Sequence, residues 1–481
     1  MSRRPATAPD AGSLWRWCAC ALAVLAAGLT GLFLLRIPVQ LSDSFTEFTT
    51  VYKATLWDVV RAEFHGGPYM RPLRRGLIKL VYDLSQGQFQ PWFRGFQVAQ
   101  LLALLCLTVG ALRVRTAAAL AVVPLALAMV LGSHTFAGAI LEGLPINHFL
   151  TILVCCALTV NLLRAEPSLL NDALAVVVMV VAMLTIESGL LVAVLVVLGR
   201  IVGMRGVSRP AVAAVVACAV AYMVGRFVFL SGTTPGLDER SAGFGFHVLS
   251  TGELMARFGA NPLPFYLYNM LSAVSCVLFA EPRGGVWSFV QGVLGGHVEP
   301  WRLVNVASST ATTGLIAWFA WTRFHTWRRQ GLTAAGQLVV VWAGLVLANA
   351  VFAFAYEKDA ILGPAGFLQA LAAAAVLIDI SEGNGGFGAA WRVPVALLAV
   401  ASVGWTIRLV GVHYSLQVRN LSVRTEWAYY DDWERKQQFA TPWTPEQQAI
   451  RLSLMRQAIR GASSARQLAG PFPNPLFDVT Q

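Results

Sequence analysis

The chain has 481 residues, of which 56% are hydrophobic and only 13% are charged, and its mean hydropathy is +0.61. Soluble globular domains carry about 25% charged residues, so this composition excludes an ordinary soluble protein. The net charge of +11 does not indicate nucleic-acid binding, because the lysines and arginines cluster at the ends of apolar runs, where they set membrane topology.

The apolar runs are long and continuous, which predicts an all-α polytopic membrane protein rather than a barrel. We expect about 11 transmembrane helices, with a range of about 11 to 13, from runs of about 17 to 25 residues. The predicted spans are 15–35, 94–112, 116–133, 147–163, 172–186, 189–204, 210–230, 303–322, 333–354, 360–379 and 392–411.

The first run follows Arg3, Arg4 and Arg16 and is longer than the apolar core of a signal peptide, so it predicts an uncleaved signal anchor. The N-terminus is then cytoplasmic, and an odd number of spans places the C-terminus outside. The transmembrane domain would cover 1–411, with a large first outer loop at 36–93, a second at 231–302, and an extracytoplasmic tail at 412–481. Because alanine, valine, glycine and arginine are frequent, we expect a bacterial inner membrane.

Two segments leave alternatives open. Segment 264–281 is either a re-entrant or interfacial helix, or one arm of a hairpin whose other arm lies near 286–294. The tail contains a short amphipathic helix from Thr444 to Gly461, started by a capping residue and Pro445. We expect it to be a plain structural tail, rather than a helix that packs on the first outer loop or on the membrane surface.

The first outer loop carries most of the ionisable chemistry. Asp43 lies just beyond the first span, close to where a lipid-linked substrate presents its phosphate, and a partly desolvated carboxylate there suits a general base. Glu47 follows one helical turn later and shares the face if the loop is helical. The alternative is that both acids are merely solvated loop residues.

Arg71, Arg74 and Arg75 lie in the same loop, on the side of the membrane where arginines are rare. Guanidinium groups match phosphate geometry, so this cluster predicts a phosphate-bearing lipid as ligand, with contact to anionic headgroups as the alternative. Arg36, Arg226 and Arg408 lie near other outer span ends, where they either join a phosphate site or extend to the interface. His134 and His148 flank another outer loop, and we assign them no role.

These features together resemble membrane glycosyltransferases of the GT-C class, and most closely the protein O-mannosyltransferase-like branch and its bacterial relatives. The resemblance rests on the acid after the first span, on Tyr69-Met70-Arg71-Pro72-Leu73, and on the Gly-x-x-x-Pro-x-Phe pattern from Gly87 to Phe93. Further fragments follow in order: Ser133-His134 with Glu142, Leu184 to Ser188 around Glu187, and Tyr356-Glu357-Lys358-Asp359. The chain departs from these relatives in having a single acid at Asp43 and an isoleucine at position 186.

The resemblance implies an inverting transferase that moves a sugar from a polyprenyl-phosphate-linked donor to an outer-face acceptor, which would be a glycan, a lipid or a protein. Asp43 and Glu47 would be catalytic. The substrate-binding residues would be Arg71, Arg74, Arg75, Glu142, Glu187, Glu357 and Lys358. The partners would be the donor, membrane lipids and the acceptor, without nucleic acid.

No cofactor is expected, and no divalent metal either, because no paired acids stand where a DxD motif would lie. The seven cysteines lie in apolar runs and lack a CxxC spacing, which argues against a metal cluster or a disulfide framework. The alternative function is a non-enzymatic transporter or flippase of a lipid-linked or polysaccharide intermediate. That alternative predicts charged, broken helices near the bilayer midplane, whereas most charges here lie in loops.

Overall fold

The computed structural model of the protein describes residues 11–41, 43–65, 70–141, 146–230, 232–234, 236–245, 247–279, 286–355, 358–383, 392–430 and 443–459. Nearly all regular structure in them is helical. The first half contains α1 (Ala11–Leu34), α2 (Asp43–Val51), α3 (Leu56–Ala62), α4 (Pro72–Ser85), α5 (Phe89–Leu112), α6 (Ala117–Gly132), α7 (His134–Leu141), α8 (His148–Arg164), α9 (Leu169–Met183), α10 (Leu191–Ile201) and α11 (Arg209–Val224).

The second half begins with a small antiparallel hairpin of β1 (Ala242–Phe244) and β2 (His247–Leu249). The remaining helices are α12 (Thr251–Phe258), α13 (Leu263–Phe279), α14 (Val286–Leu294), α15 (Pro300–Gln330), α16 (Ala334–Phe352), α17 (Gly363–Ser381), α18 (Arg392–Ala428) and α19 (Pro445–Ile459). Tight 3₁₀ turns at Glu187–Leu190 and Asp359–Leu362 lead into α10 and α17, and a π-helical turn at Gly225–Phe229 ends α11.

The fold is that of an all-α polytopic membrane protein, but the predicted count of eleven spans is not met. Within the described ranges, seven helices are long and apolar enough to cross a membrane, and two bent pairs raise the number to nine. The helices α8 and α9 have only 17 and 15 residues, and α10 has 11. A helix needs about 20 residues to cross a hydrocarbon core of about 30 Å, so hydropathy alone overestimated these spans.

The segment predicted as re-entrant or as a hairpin arm forms α13, which is bent by 119° from α12. This geometry fits a broken span or a re-entrant loop. The other bent pair, α6 and α7, turns by 60°.

Helix α17 forms the centre of the bundle. In its apolar 18-residue segment 89% of the residues are buried, whereas in that of the helix at Arg209–Phe229 only 17% are buried. Its run of alanines at 372–375 lets neighbouring helices approach closely, as small residues do in membranes. At Gly366 an added Cβ would collide with the Thr135 hydroxyl, so α7 lies directly against α17. This packing holds the loop-side ends of both helices in register.

The segment predicted as the first outer loop, 36–93, is largely helical where the structure describes it. Thr55 and Asp58 form a capping box that starts α3, and Phe48 of α2 packs on Phe89 and Phe93 at the start of α5, with ring centroids 5.0 and 5.1 Å away. This segment is therefore fixed to the membrane bundle through aromatic contacts.

The tail packs on this segment, so our expectation of a plain tail is corrected in favour of the alternative that it contacts the loop. Helix α18 has 37 residues, about 55 Å at 1.5 Å per residue, and therefore extends beyond a hydrocarbon core of about 30 Å. Its Trp427 indole N–H donates to the Val39 carbonyl at 2.6 Å, and Phe45 of α2 contacts both Trp427 and Trp443. The first outer loop and the tail consequently lie at the same end of the molecule.

A basic cavity as the candidate functional site

A cavity of about 620 Å³ lies at the end of the bundle where the first outer loop packs. Its walls come from the first loop, from the loop-side ends of α8, α11 and α16, and from the two 3₁₀ turns. The lining residues include Thr46, Glu47, Thr50, Arg71, Arg74, Arg75, His148, Phe149, Ile186, Glu187, Leu190, Met223, Arg226, Phe227, Arg240, Val351, Phe352, Phe354 and Lys358.

The start of α4 presents the three arginines of the first loop. Pro72 occupies the first turn, where its missing N–H costs no hydrogen bond. Positions 71, 74 and 75 are three and four residues apart, so they lie on one face of the helix. A cluster that is compact in sequence is thus also compact in space.

Glu187 is brought to this face by the break between α9 and α10. At Gly189 an added Cβ would collide with the Ala182 carbonyl, so glycine permits the sharp turn. Arg71 donates to both Glu187 oxygens, from Nη2 at 2.7 Å and from Nε at 3.3 Å. Arg226, on the π-helical turn, approaches the same carboxylate at 3.1 Å. One carboxylate therefore joins arginines from two distant segments. The π-helical turn that carries Arg226 is a kind of turn that is frequent at functional sites.

Glu47 forms a second centre of this kind. Its Oε1 accepts from Arg74 Nη2 at 2.9 Å, and its Oε2 lies 3.2 Å from Arg75 Nη1. The side chains of Arg74 and Glu47 are only 8% and 10% exposed. Burial lowers the pKa of the Arg74 guanidinium below its ordinary value, while the adjacent Glu47 acts in the opposite direction. Both oxygens of Glu47 are thus engaged in holding arginines.

Glu63, which also lies in the first loop, supports the cluster from behind. It accepts the Arg71 backbone N–H at 3.0 Å and lies 3.4 Å from Arg75. The arginines are therefore held in position before any ligand arrives, which reduces the ordering cost of binding.

Cationic groups outnumber carboxylates in the described cavity wall. The lining contains five arginines and Lys358 but two carboxylates, Glu47 and Glu187, an excess of four positive charges. A wall with this excess of cationic groups creates a positive potential, which favours an anionic ligand. Arginine forks match phosphate oxygens in particular.

Part of the cavity wall is apolar and aromatic. Phe149, Phe227, Phe352 and Phe354 contribute to it, and the Lys358 ammonium lies 5.0 Å from the centre of the Phe149 ring. Met223 and Val351 also line the cavity and are 41% and 54% exposed. They belong to the helices at Arg209–Phe229 and Ala334–Phe352, both of which are long and apolar enough to cross a membrane.

The structure brings together every predicted site residue whose side chain it describes. Glu47, Arg71, Arg74, Arg75, Glu187 and Lys358 all line this one cavity. Asp43 begins α2, one turn before Glu47, but its side chain lies outside the described part of the chain. Glu142 and Glu357 also lie outside the described residues.

Other lining residues were not predicted from the sequence. Arg240 and the aromatic wall carry no local motif, and His148, to which we assigned no role, lies in the wall. Of the three arginines considered at outer span ends, Arg226 lines the cavity. Arg408 instead binds the Gly132 carbonyl and the Ser309 hydroxyl, at 3.0 and 2.8 Å.

No protein-family model, no curated protein and no solved structure is detectably similar to this chain. The resemblance to GT-C glycosyltransferases therefore stays a prediction, and the cavity has to be interpreted from its own geometry.

Proposed function

We propose that this protein is an integral membrane glycosyltransferase that takes a sugar from a polyprenyl-phosphate-linked donor and transfers it to an outer-face glycan, lipid or protein. The observation that carries the proposal is a single cavity whose lining combines five arginines with four phenylalanines and includes residues of two apolar helices long enough to cross a membrane. A polyprenyl-phosphate sugar has a matching anionic, polar and apolar part.

The arginine-rich wall suits the donor phosphate. Arg71 and Arg226 converge on Glu187 from two sides, so a phosphate placed beside them would meet two guanidinium forks. These cations would stabilise the negative charge that develops on the phosphate as the bond to the sugar breaks. The aromatic wall would hold the isoprenoid chain and exclude water.

Asp43 is the general base in this proposal. The acceptor hydroxyl attacks the anomeric carbon, its proton passes to the Asp43 carboxylate, and polyprenyl phosphate leaves with the electrons of the broken C–O bond. Since both Glu47 oxygens contact arginines, we assign Glu47 to positioning Arg74 and Arg75 rather than to proton transfer. Attack on the face opposite the leaving group gives inversion.

The membrane placement follows the same proposal. The donor would be met at the extracytoplasmic face of a cell membrane, which in a bacterium is the inner membrane. The N-terminus would then be cytoplasmic, and the tail would be extracytoplasmic because it packs on the first outer loop. Single-cysteine probes at positions 43 and 444, in a background without the seven native cysteines, should both react with a membrane-impermeant reagent added from outside.

The central test is transfer by the Asp43→Asn variant. Purified wild type in lipid vesicles should release polyprenyl phosphate from a polyprenyl-phosphate sugar as the sugar passes to an added acceptor hydroxyl or, without one, to water, and Asp43→Asn should lose this activity at an unchanged membrane level. Asp83→Asn is the matched control, because Asp83 lies in the same loop, is paired with Lys79 and does not line the cavity.

Two outcomes contradict the proposal. Wild-type activity in Asp43→Asn would exclude Asp43 as the base. Movement of the intact donor across the vesicle membrane without release of polyprenyl phosphate would identify a transporter instead, because a flippase leaves the sugar–phosphate bond unbroken.

A further inference from the structure

Behind the wall of the cavity, three side chains with metal-binding chemistry converge from distant parts of the chain. They are the imidazole of His134, the thiol of Cys276 and the carboxylate of Asp359. His134 begins α7, Cys276 lies near the end of α13, and Asp359 begins the 3₁₀ turn before α17. Their ligand atoms all lie within 4.8 Å of one another. In the described residues, no other set of His, Cys, Asp and Glu side chains meets this condition.

The distances are close to those that a shared ligand would require. His134 Nε2 lies 3.7 Å from Asp359 Oδ1 and 3.7 Å from Cys276 Sγ. The contact with sulfur is within hydrogen-bond range, whereas 3.7 Å is too long for a normal N–H···O hydrogen bond to Asp359. A tetrahedral zinc site, with bonds of about 2.0 Å to nitrogen and oxygen and about 2.3 Å to sulfur, separates its ligand atoms by about 3.3–3.6 Å.

We propose that His134, Cys276 and Asp359 form a binding site for one zinc-like divalent cation. One imidazole, one thiolate and one carboxylate are borderline and soft donors of the kind that zinc accepts, and a water molecule would complete the tetrahedron. The site needs only the Cys276 and Asp359 atoms to move closer, because the two distances to His134 are already within a few tenths of an ångström of the required values.

The charge balance favours a divalent ion. The thiol loses its proton on binding, so one thiolate and one carboxylate neutralise a cation of charge two inside the protein. His134 and Cys276 are buried, and a neutral site is the least costly one in such surroundings.

Two of the three elements that carry these side chains already pack against each other. At Gly138 an added Cβ would lie 2.9 Å from the Asp359 Cβ, so α7 and the 3₁₀ turn are in direct contact without a metal. The ion would add α13 to this pair and so cross-link three elements. Lys358, which lines the cavity, directly precedes Asp359. The metal would therefore fix the position of Lys358 while itself remaining outside the cavity wall.

The experiment uses purified full-length protein, stripped with a chelator and then titrated with Co²⁺ as a spectroscopic substitute for Zn²⁺. We expect one Co²⁺ per chain and a thiolate-to-cobalt charge-transfer band. The band should disappear in Cys276→Ser and remain in Cys156→Ser, the matched control, because Cys156 is equally buried but belongs to no such cluster. Zn²⁺ should also raise the thermal unfolding midpoint of the wild type.

The conservative variant Asp359→Asn keeps the shape of the side chain and guards against a folding defect in Cys276→Ser. We expect it to bind Co²⁺ at least about 10-fold more weakly. A wild type that binds no Co²⁺, or an equal charge-transfer band in Cys276→Ser and Cys156→Ser, would overturn the proposal. Metal content and the charge-transfer band are independent of sugar transfer, so this proposal and the proposed function can fail separately.

Discussion

Arg94 and the pair Arg71 and Arg226 bind different kinds of acceptor. Arg94, in α5, donates to the carbonyls of Ile37 and Pro38, each at 2.9 Å, and to the amide oxygen of Gln97 at 2.8 Å. Arg71 and Arg226 instead share the carboxylate of Glu187.

The difference separates a structural role from a ligand-binding role. Arg94 does not line the cavity, and its neutral acceptors belong to the backbone that leads from α1 into the first loop. The cavity arginines face open space and are held by anions, and an incoming phosphate supplies the same kind of oxygen acceptor as a carboxylate. An arginine held by carboxylates beside a cavity can thus exchange partners, whereas one held by carbonyls in packed protein is fixed.

The largest expected effect is a loss of unfolding free energy on removal of Glu47, a cavity carboxylate that also stabilises the fold. Glu47→Ala leaves the buried Arg74 without its carboxylate, and breaking a buried ion pair costs about 3–5 kcal/mol. Glu47→Gln should cost less, because its amide oxygen still accepts from Arg74. Thermal or denaturant unfolding of the purified protein measures both variants. Equal stability of wild type and Glu47→Ala would mean that this pair does not hold the first loop.

The next effect separates binding from stability. Arg71→Ala should lower transfer by about 100-fold or more, the loss typical for one donor to a developing negative charge, and should destabilise the fold less than Glu47→Ala, because Arg226 still pairs with Glu187. Arg71→Lys should recover only part of the activity, because lysine cannot form the two-pronged contact. Arg302→Ala is the control, since Arg302 is also paired with a glutamate but does not line the cavity. The same activity loss in both variants would refute a specific phosphate contact.

Arg94 should show the reverse pattern. Arg94→Met leaves the carbonyls of Ile37 and Pro38 without their donor, at a cost of about 1–3 kcal/mol in unfolding free energy, and the folded fraction should keep its transfer activity. Activity per folded molecule, compared with the unfolding midpoint, measures this. A large loss of activity without destabilisation would mean that Arg94 belongs with the cavity group.

The smallest effect concerns an exposed pair between the loop and the tail. Lys53 Nζ lies 3.3 Å from Glu446, and the pKa of the Glu446 carboxyl lies below its ordinary value, through its own backbone N–H, Thr444 and Lys53. Because this pKa is lowered in the folded state, the contribution is present above the unfolded value, near 4.5, and is lost as the pH falls through the folded value. The protection of α19 amides against hydrogen exchange, taken relative to the intrinsic exchange rate at each pH, should therefore fall modestly in acid.

The Glu446→Gln variant should remove this pH dependence of exchange in α19, since the amide does not titrate. An unchanged acid response in that variant would assign the effect to other groups at the interface between loop and tail.

The helical membrane fold was predictable because long apolar runs permit little else in lipid. The number of spans was not, since hydropathy does not show where a helix ends. The run predicted as span 172–186 loses its last turn before Glu187, where the backbone tightens into a 3₁₀ turn. The interruption at Gly189 depends on contact with the Ala182 carbonyl, which hydropathy does not encode.

The sequence by itself determined the membrane class, the polar segment after the first span, and the arginine cluster of α4, because all three depend on composition or on neighbours within one helical turn. Only the tertiary structure decided which charges meet. Glu187 lies 116 residues from Arg71, and His134 lies 142 residues from Cys276. Such pairs are set by the packing of separate helices around α17, and no local pattern of residues specifies which helix ends become neighbours.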